Sequence, residues 1–177
     1  MTMRRAFIAV NLPGSVKEKI FREFSQEFPK EKFKSVEMEN LHFTLVFLGN
    51  ASEEKLGEIR ITLRKINGFG EFGIGLEGTG SFGTMLVWIR IAEGKEKIAE
   101  LHSRICGLIG IRGGGFSAHL TVARNRRANP KEFAEVMKRV SAKKFQESFE
   151  VKSVELMESV LSTRGPEYKI IESFALC

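Results

Sequence analysis

Two histidines in this chain stand in the same four-residue setting: His42-Phe43-Thr44-Leu45 and, 77 positions later, His119-Leu120-Thr121-Val122. The whole chain holds only three histidines. Each copy lies in an apolar, β-branched run that reads as a strand, where side chains alternate between faces. His42 and Thr44 then share one face and Phe43 and Leu45 the other, and the second copy repeats the pattern. Residues two apart on a strand lie about 6–7 Å apart, so an imidazole and a hydroxyl can both reach one tetrahedral phosphate. If the two polar faces line one cleft, four side chains converge on a single anion.

That grouping suits acid–base cleavage at phosphorus. A neutral histidine takes a proton from an attacking water or hydroxyl, and a protonated one gives a proton to the leaving oxygen. Histidine serves either role because its unperturbed pKa, about 6.5, leaves both forms accessible near neutrality. Threonine hydroxyls donate to the non-bridging oxygens, where charge grows in the transition state. Read singly, each copy is an ordinary half-buried strand; it is the repetition that argues for a paired role. Two histidines without a nearby Cys or carboxylate at ligand spacing are too few for a zinc site, and no metal or cofactor is expected.

The surrounding elements must position these strands. Ala6–Val10 reads as a buried strand ending at Pro13-Gly14. Val16, Ile20, Phe24 and Phe28 then mark one face of a helix. After a polar stretch, the strand at 41–48 ends at Gly49-Asn50. Ser52-Glu53-Glu54 opens a second helix, with Leu56, Ile59, Leu63 and Ile66 on its buried face. Alternation gives a strand over 72–76, Gly78-Thr79-Gly80 a turn, and 85–92 a strand carrying Trp88, which we assign to the core. A helix is expected over 95–109. His102 lies on it without a Thr partner and reads as structural. Arg112-Gly113-Gly114-Gly115 is a flexible link into the second histidine strand. Asn129-Pro130-Lys131-Glu132 starts a further helix. The rest, 145–161 and 168–176, is strand-like, with a hairpin at Gly165-Pro166. The fold class is α+β: one bilobal domain over 1–177, its two similar lobes carrying antiparallel sheets that face a central cleft, helices outside.

Composition narrows the partners. Lys and Arg outnumber Asp and Glu 28 to 22, a net charge of +6 that favours polyanions. No apolar run approaches a membrane span and no secretory h-region follows Met1, so neither membrane nor export is expected. Cys106 and Cys177 lack any Cys-x-x-Cys spacing, which makes the cytoplasm the default.

The segments 39–49 (ENLHFTLVFLG) and 118–124 (AHLTVAR), together with 5–13 (RAFIAVNLP), Trp88, Gly165 and Tyr168, resemble the two-histidine (2H) phosphoesterase superfamily. Within it they resemble the RNA 2′,3′-cyclic phosphodiesterases, historically called 2′-5′ RNA ligases. The resemblance implies a bilobal fold and metal-independent opening of RNA 2′,3′-cyclic phosphate ends to 2′-phosphates, with reversible 2′-5′ ligation in some members. It implies His42 as proton donor to the leaving 3′ oxygen and His119 as proton acceptor from water, although the symmetric motif alone leaves those roles open. It implies Thr44, Thr121 and Arg124 as phosphate ligands. RNA 3′ ends, tRNA fragments among them, become the expected partner of a monomeric protein. Strict alternation would put Arg124 opposite Thr121, so it joins them only if the strand ends or bulges near Ala123, or its stem wraps round. Phe82 and Tyr168 are candidates for base and pocket lining, by stacking. Two alternatives stand beside this reading: a non-catalytic RNA-binding module, and a phosphoesterase for a small cyclic nucleotide phosphate.

Overall fold

A computed structural model describes residues 3–163 and 165–177. In chain order its strands are β1 (Met3–Asn11), β2 (Phe33–Ser35), β3 (His42–Ser52), β4 (Phe72–Phe82), β5 (Leu86–Glu93), β6 (Leu120–Asn125), β7 (Gln146–Val151), β8 (Ser153–Ser162) and β9 (Gly165–Ala175). The helices are α1 (Gly14–Phe24), α2 (Glu53–Leu63), α3 (Lys95–Ile109) and α4 (Pro130–Ser141). The strands form two antiparallel sheets, of order β3-β1-β8-β9 and β2-β6-β5-β4-β7. Each histidine strand is followed by a helix, as expected, and the α+β class with two antiparallel sheets is as read from the sequence.

Local chemistry sets the helix ends. The Ser52 hydroxyl accepts from the Lys55 N–H at 3.2 Å to open α2. Asn129 and Glu132 bond reciprocally to each other's backbone N–H, at 3.0 Å each, to open α4, with Pro130 at the first turn. Gly94 opens α3 at φ 80°, and a Cβ there would lie 2.3 Å from the Gly73 carbonyl oxygen.

The helices exchange partners between the sheets. α1 follows β1 of the four-stranded sheet but packs against β7 of the other. α3 follows β5 of the five-stranded sheet but packs against β3 and α2. One apolar core therefore runs through both sheets: Ile8 and Phe43 from one, Ile89 and Leu120 from the other, all fully buried. A second small cluster, Phe7, Ala9 and Met157 with Tyr168 against it, lies on the opposite face of the four-stranded sheet.

Two sequence expectations change. Gly78-Thr79-Gly80 is not a turn: β4 continues to Phe82, and Glu77 and Gly78 together oppose Arg90 as a bulge. Gly80 is needed because a Cβ there would meet the Trp88 ring at 2.4 Å. The chain instead reverses after Phe82, whose carbonyl accepts the Met85 N–H at 3.0 Å. The long strand-like run over 145–161 divides at Lys152, with β7 joining one sheet and β8 the other.

Candidate active site

His42 opens β3 at the edge of the four-stranded sheet, and His119 immediately precedes β6 in the five-stranded one. β3 and β6 run close together without pairing. Phe43, between His42 and Thr44, is 0% exposed and locks the strand's other face into the core. Leu120 does the same between His119 and Thr121.

Both strands then bulge at the same point. In β3, Thr44 pairs with Ala9 and Val46 with Ile8, so Leu45 is the extra residue. In β6, Thr121 pairs with Trp88 and Ala123 with Val87, so Val122 is the extra residue. Each bulge buries two consecutive residues, Leu45-Val46 and Val122-Ala123, and returns the next one to the polar face. On β6 that residue is Arg124, which meets the condition its sequence position imposed. On β3 it is Phe47, 74% exposed.

The two imidazoles are held alike. His42 Nδ1 lies 2.6 Å from the Asn40 carbonyl oxygen, and His119 Nδ1 lies 2.7 Å from that of Ser117, each two residues upstream. Carbonyls only accept, so each Nδ1 carries a proton and each Nε2 is left to exchange one. His42 Nε2 accepts from the Thr44 hydroxyl at 2.9 Å. Each ring also meets one aromatic edge-on: Tyr168 at 5.0 Å from His42, and Phe82 at 4.9 Å from His119. Phe7 completes the floor beside His42 at 5.1 Å. Both pocket-lining candidates therefore touch a motif histidine.

Burial pushes the His42 pKa down to about 4, against the pull of the Asn40 carbonyl; positive charge on Lys17, Arg124 and His119 lowers it further. The two polar faces thus share one electrostatic site, and His42 is neutral at pH 7 when that site holds no anion. Lys17 is buried, and its ammonium donates to the Glu39 carbonyl at 2.7 Å. Burial draws its pKa down while Glu39 and Glu155 draw it up. Glu155, also buried, accepts from the Asn11 N–H at 3.1 Å and the Ser153 hydroxyl at 2.5 Å. Burial raises its pKa against those bonds and Lys17.

Sequence reading missed Lys17, Glu155 and the role of Asn40. Lys17 shares a helix face with Ile20 and Phe24, and Glu155 interrupts the run Val154-Glu155-Leu156-Met157; a charge in an apolar pattern was the available signal. The Asn40 carboxamide donates to the Pro166 carbonyl at 2.8 Å and accepts the Tyr168 N–H at 3.3 Å. It fastens the β8–β9 hairpin to the residue whose own carbonyl orients His42. The Trp88 assignment to the core is corrected: it pairs with Thr121, so it lies on the polar face, half-buried. Its indole N–H is shielded from solvent and has no acceptor among the described residues. His102 is structural as expected, stacked on Phe116 at 4.1 Å with Nε2 3.4 Å from the Cys106 sulfur. Among the described residues no three His, Cys, Asp or Glu side chains group as metal ligands, and no helix is long and apolar enough to cross a membrane.

Known proteins resemble this chain in sequence and in fold. The profile of the 2′-5′ RNA ligase superfamily matches residues 13–162. An RNA 2′,3′-cyclic phosphodiesterase of Archaeoglobus fulgidus is 37% identical over 177 residues, covering 96% of this chain and 99% of that protein. One of Aquifex aeolicus is 29% identical over 187 residues, covering 99% of each. The crystal structure of Escherichia coli LigT complexed with 3′-AMP superposes with a TM-score of 0.83 at 23% identity over 99% of both chains, a likeness of fold. A crystal structure from Thermus thermophilus superposes at 0.79 with 28% identity over 97% of both. With both histidine strands inside the matched span, the chain belongs to the 2′-5′ RNA ligase superfamily, the two-histidine phosphoesterases.

Proposed function

We propose that this protein is an RNA 2′,3′-cyclic phosphodiesterase that opens the terminal cyclic phosphate to a 2′-phosphate, with His42 and His119 as acid and base. The observation that carries the proposal is the duplicated geometry. Two neighbouring strands each present an imidazole with Nδ1 tied to a carbonyl, a threonine two residues on, and a bulge that returns the residue five positions on to the same face. Relatives named RNA 2′,3′-cyclic phosphodiesterase over nearly the whole chain support the substrate.

In this mechanism His119 Nε2 takes a proton from water as its oxygen attacks phosphorus. The bond to the 3′ oxygen breaks, and His42 Nε2 protonates that oxygen. Thr44, Thr121 and Arg124 hold the non-bridging oxygens as their charge grows. His42 must be protonated for its part. The cations that depress it are those an anion would neutralise, so phosphate binding raises its pKa. Once Nε2 carries a proton it no longer accepts from Thr44, whose hydroxyl hydrogen turns to the phosphate. Two imidazoles acting this way need no metal or other cofactor.

The same reading takes residues 1–177 as one bilobal catalytic domain, monomeric and cytoplasmic, acting on RNA ends such as those of tRNA fragments, with reversible 2′-5′ joining where an RNA 5′ hydroxyl takes the place of water as the attacking group and the 3′ oxygen again leaves. The shared core through both sheets supports one domain, and the +6 charge supports RNA.

The test is hydrolysis of a 2′,3′-cyclic nucleotide in EDTA, with His42→Ala and His119→Ala alongside. Activity that either substitution abolishes is the expected result. An inactive wild type, or a variant retaining full rate, overturns the proposal.

A further inference from the structure

The carbonyls that orient the two motif histidines are held in different ways. Around Asn40 the chain is a hydrogen-bonded turn: the Asn40 N–H donates to the Glu37 carbonyl at 2.9 Å, and the Leu41 N–H to that of Met38 at 3.2 Å. The Lys17 ammonium and the β8–β9 hairpin secure it further. Ser117 lies in a barer segment. Among the described residues, 112–118 make one hydrogen bond, that between the Ser117 carbonyl and His119 Nδ1. Arg112-Gly113-Gly114-Gly115 is exposed throughout, and glycine loses more freedom on being ordered than any other residue. A carbonyl at the end of such a segment keeps its place only if something outside the segment holds it.

The third histidine supplies that hold. His102 is buried on α3, and its imidazole lies flat on the Phe116 ring, 4.1 Å between centroids and 7° from parallel. Its Nε2 meets the thiol of Cys106, one helical turn on, at 3.4 Å, which fixes the direction of the ring. The segment passes closely over the edge of the same ring: a Cβ on Gly113 would lie 3.0 Å from His102 Cε1. Phe116 itself is half-buried and packs on the core. The peptide that carries the Ser117 carbonyl therefore lies between two anchored side chains, Phe116 and the fully buried Leu120. The Phe82 edge also bears on the His119 ring, but an aromatic edge does not choose which nitrogen holds the proton. The hydrogen bond to the carbonyl does.

We propose that His102 is a positioning residue for His119: acting through Phe116, it holds the Ser117 carbonyl where that carbonyl fixes the Nδ1–H tautomer and leaves Nε2 free to accept a proton. This rests on the function proposed above and adds to it a residue outside both histidine motifs. With the stack gone, neutral His119 would also carry its proton on Nε2, and in that form it cannot act as a base.

The experiment records the ring nitrogen shifts of the histidines by NMR, together with kcat and KM on a 2′,3′-cyclic nucleotide. It uses wild type, His102→Ala, Phe116→Leu and His102→Phe. Wild type should show neutral His119 as the Nδ1–H tautomer. His102→Ala and Phe116→Leu should each show a mixture of tautomers at His119 with His42 unchanged. Each should lose about 10–100-fold in kcat with KM little altered, as expected for a base misplaced from a distance. His102→Phe keeps a flat ring on Phe116 and should retain both the tautomer and most of kcat. Phe116→Leu removes the stack but leaves an apolar side chain on the core, so it decides the matter if His102→Ala fails to fold. A wild-type tautomer and kcat in either substitution, with only thermal stability reduced, overturns the proposal. So does a change at His42 as large as that at His119, the mark of general loosening, or a His102→Phe as impaired as His102→Ala. A wild type that hydrolyses nothing overturns the function proposed above, while the tautomers still decide the positioning.

Discussion

The two histidine strands are built on one plan and diverge at single positions. Both tie Nδ1 to a carbonyl two residues upstream, both place threonine two residues downstream, both bulge next, and both set an aromatic edge against the ring. The residue that each bulge returns is Arg124 on one strand and Phe47 on the other. His42 also feels the charge of the buried Lys17, and its Nε2 engages its own threonine. In the proposed mechanism the shared backbone geometry aims two equivalent nitrogens at one phosphate. The side chains around that geometry then assign charge to one strand and an apolar surface to the other.

The largest way to break the comparison is to remove a histidine. His42→Ala and His119→Ala are each expected to cut kcat on a cyclic phosphate by about 10²–10⁴-fold, and the double variant by little more than the worse single. Additive losses would show that the two act in separate steps. Next comes the residue after each bulge. Arg124→Ala should cost about 10²-fold, chiefly in kcat, as expected for a cation that meets developing charge. Phe47→Ala should act chiefly on KM and by roughly tenfold; equal effects on kcat would erase the distinction between the strands.

A subtler difference is read by NMR titration. His42 should titrate near 4 in the free protein and move upward when inorganic phosphate binds. Lys17→Met should also raise it by removing a like charge, although burial remains the larger cause. A His42 that stays put with phosphate bound would assign it the base role and His119 the acid. Folding depresses this group, so the unfolded chain binds more protons between about pH 4 and its ordinary 6.5. Stability is therefore lost as pH falls through that window, and His42→Gln should flatten the slope of denaturation midpoints against pH there. The smallest expected effect is at Trp88. Trp88→Phe removes a shielded donor without an acceptor and should leave the protein equally stable or about 1 kcal/mol more so by chemical denaturation.

Much of this was legible in the sequence because it is periodic. Helix faces such as Ile98, Leu101 and Ile105, the Asn129 cap and both His-x-Thr faces follow from spacing and local bonding alone. What was not legible depends on partners far along the chain. A bulge adds one residue to a strand, and nothing local distinguishes Val122 from its neighbours; only pairing with β5 reveals that Val122 and Ala123 both turn inward. Gly78 and Gly80 read as a turn because glycine is permissive, whereas their reasons are the bulge opposite Arg90 and the Trp88 ring. Lys17 and Glu155 show in the sequence only as charges in apolar runs; their partners appear when α1 brings Lys17 near His42 and β8 brings Glu155 near Lys17.

The interleaving of the sheets bears on how the site comes into being. β1 lies between β3 and β8, and β8 begins at Ser153, so His42's sheet cannot close until most of the chain has been made. The Asn40 anchor waits longer still, for Pro166 and Tyr168. Pairings this distant in sequence are slow to form because loop closure precedes any reward from contact. During synthesis on the ribosome, β1 and β3 emerge early as a pair with one edge open. The histidine they carry acquires its half-buried, neutral state only as the C-terminal hairpin arrives.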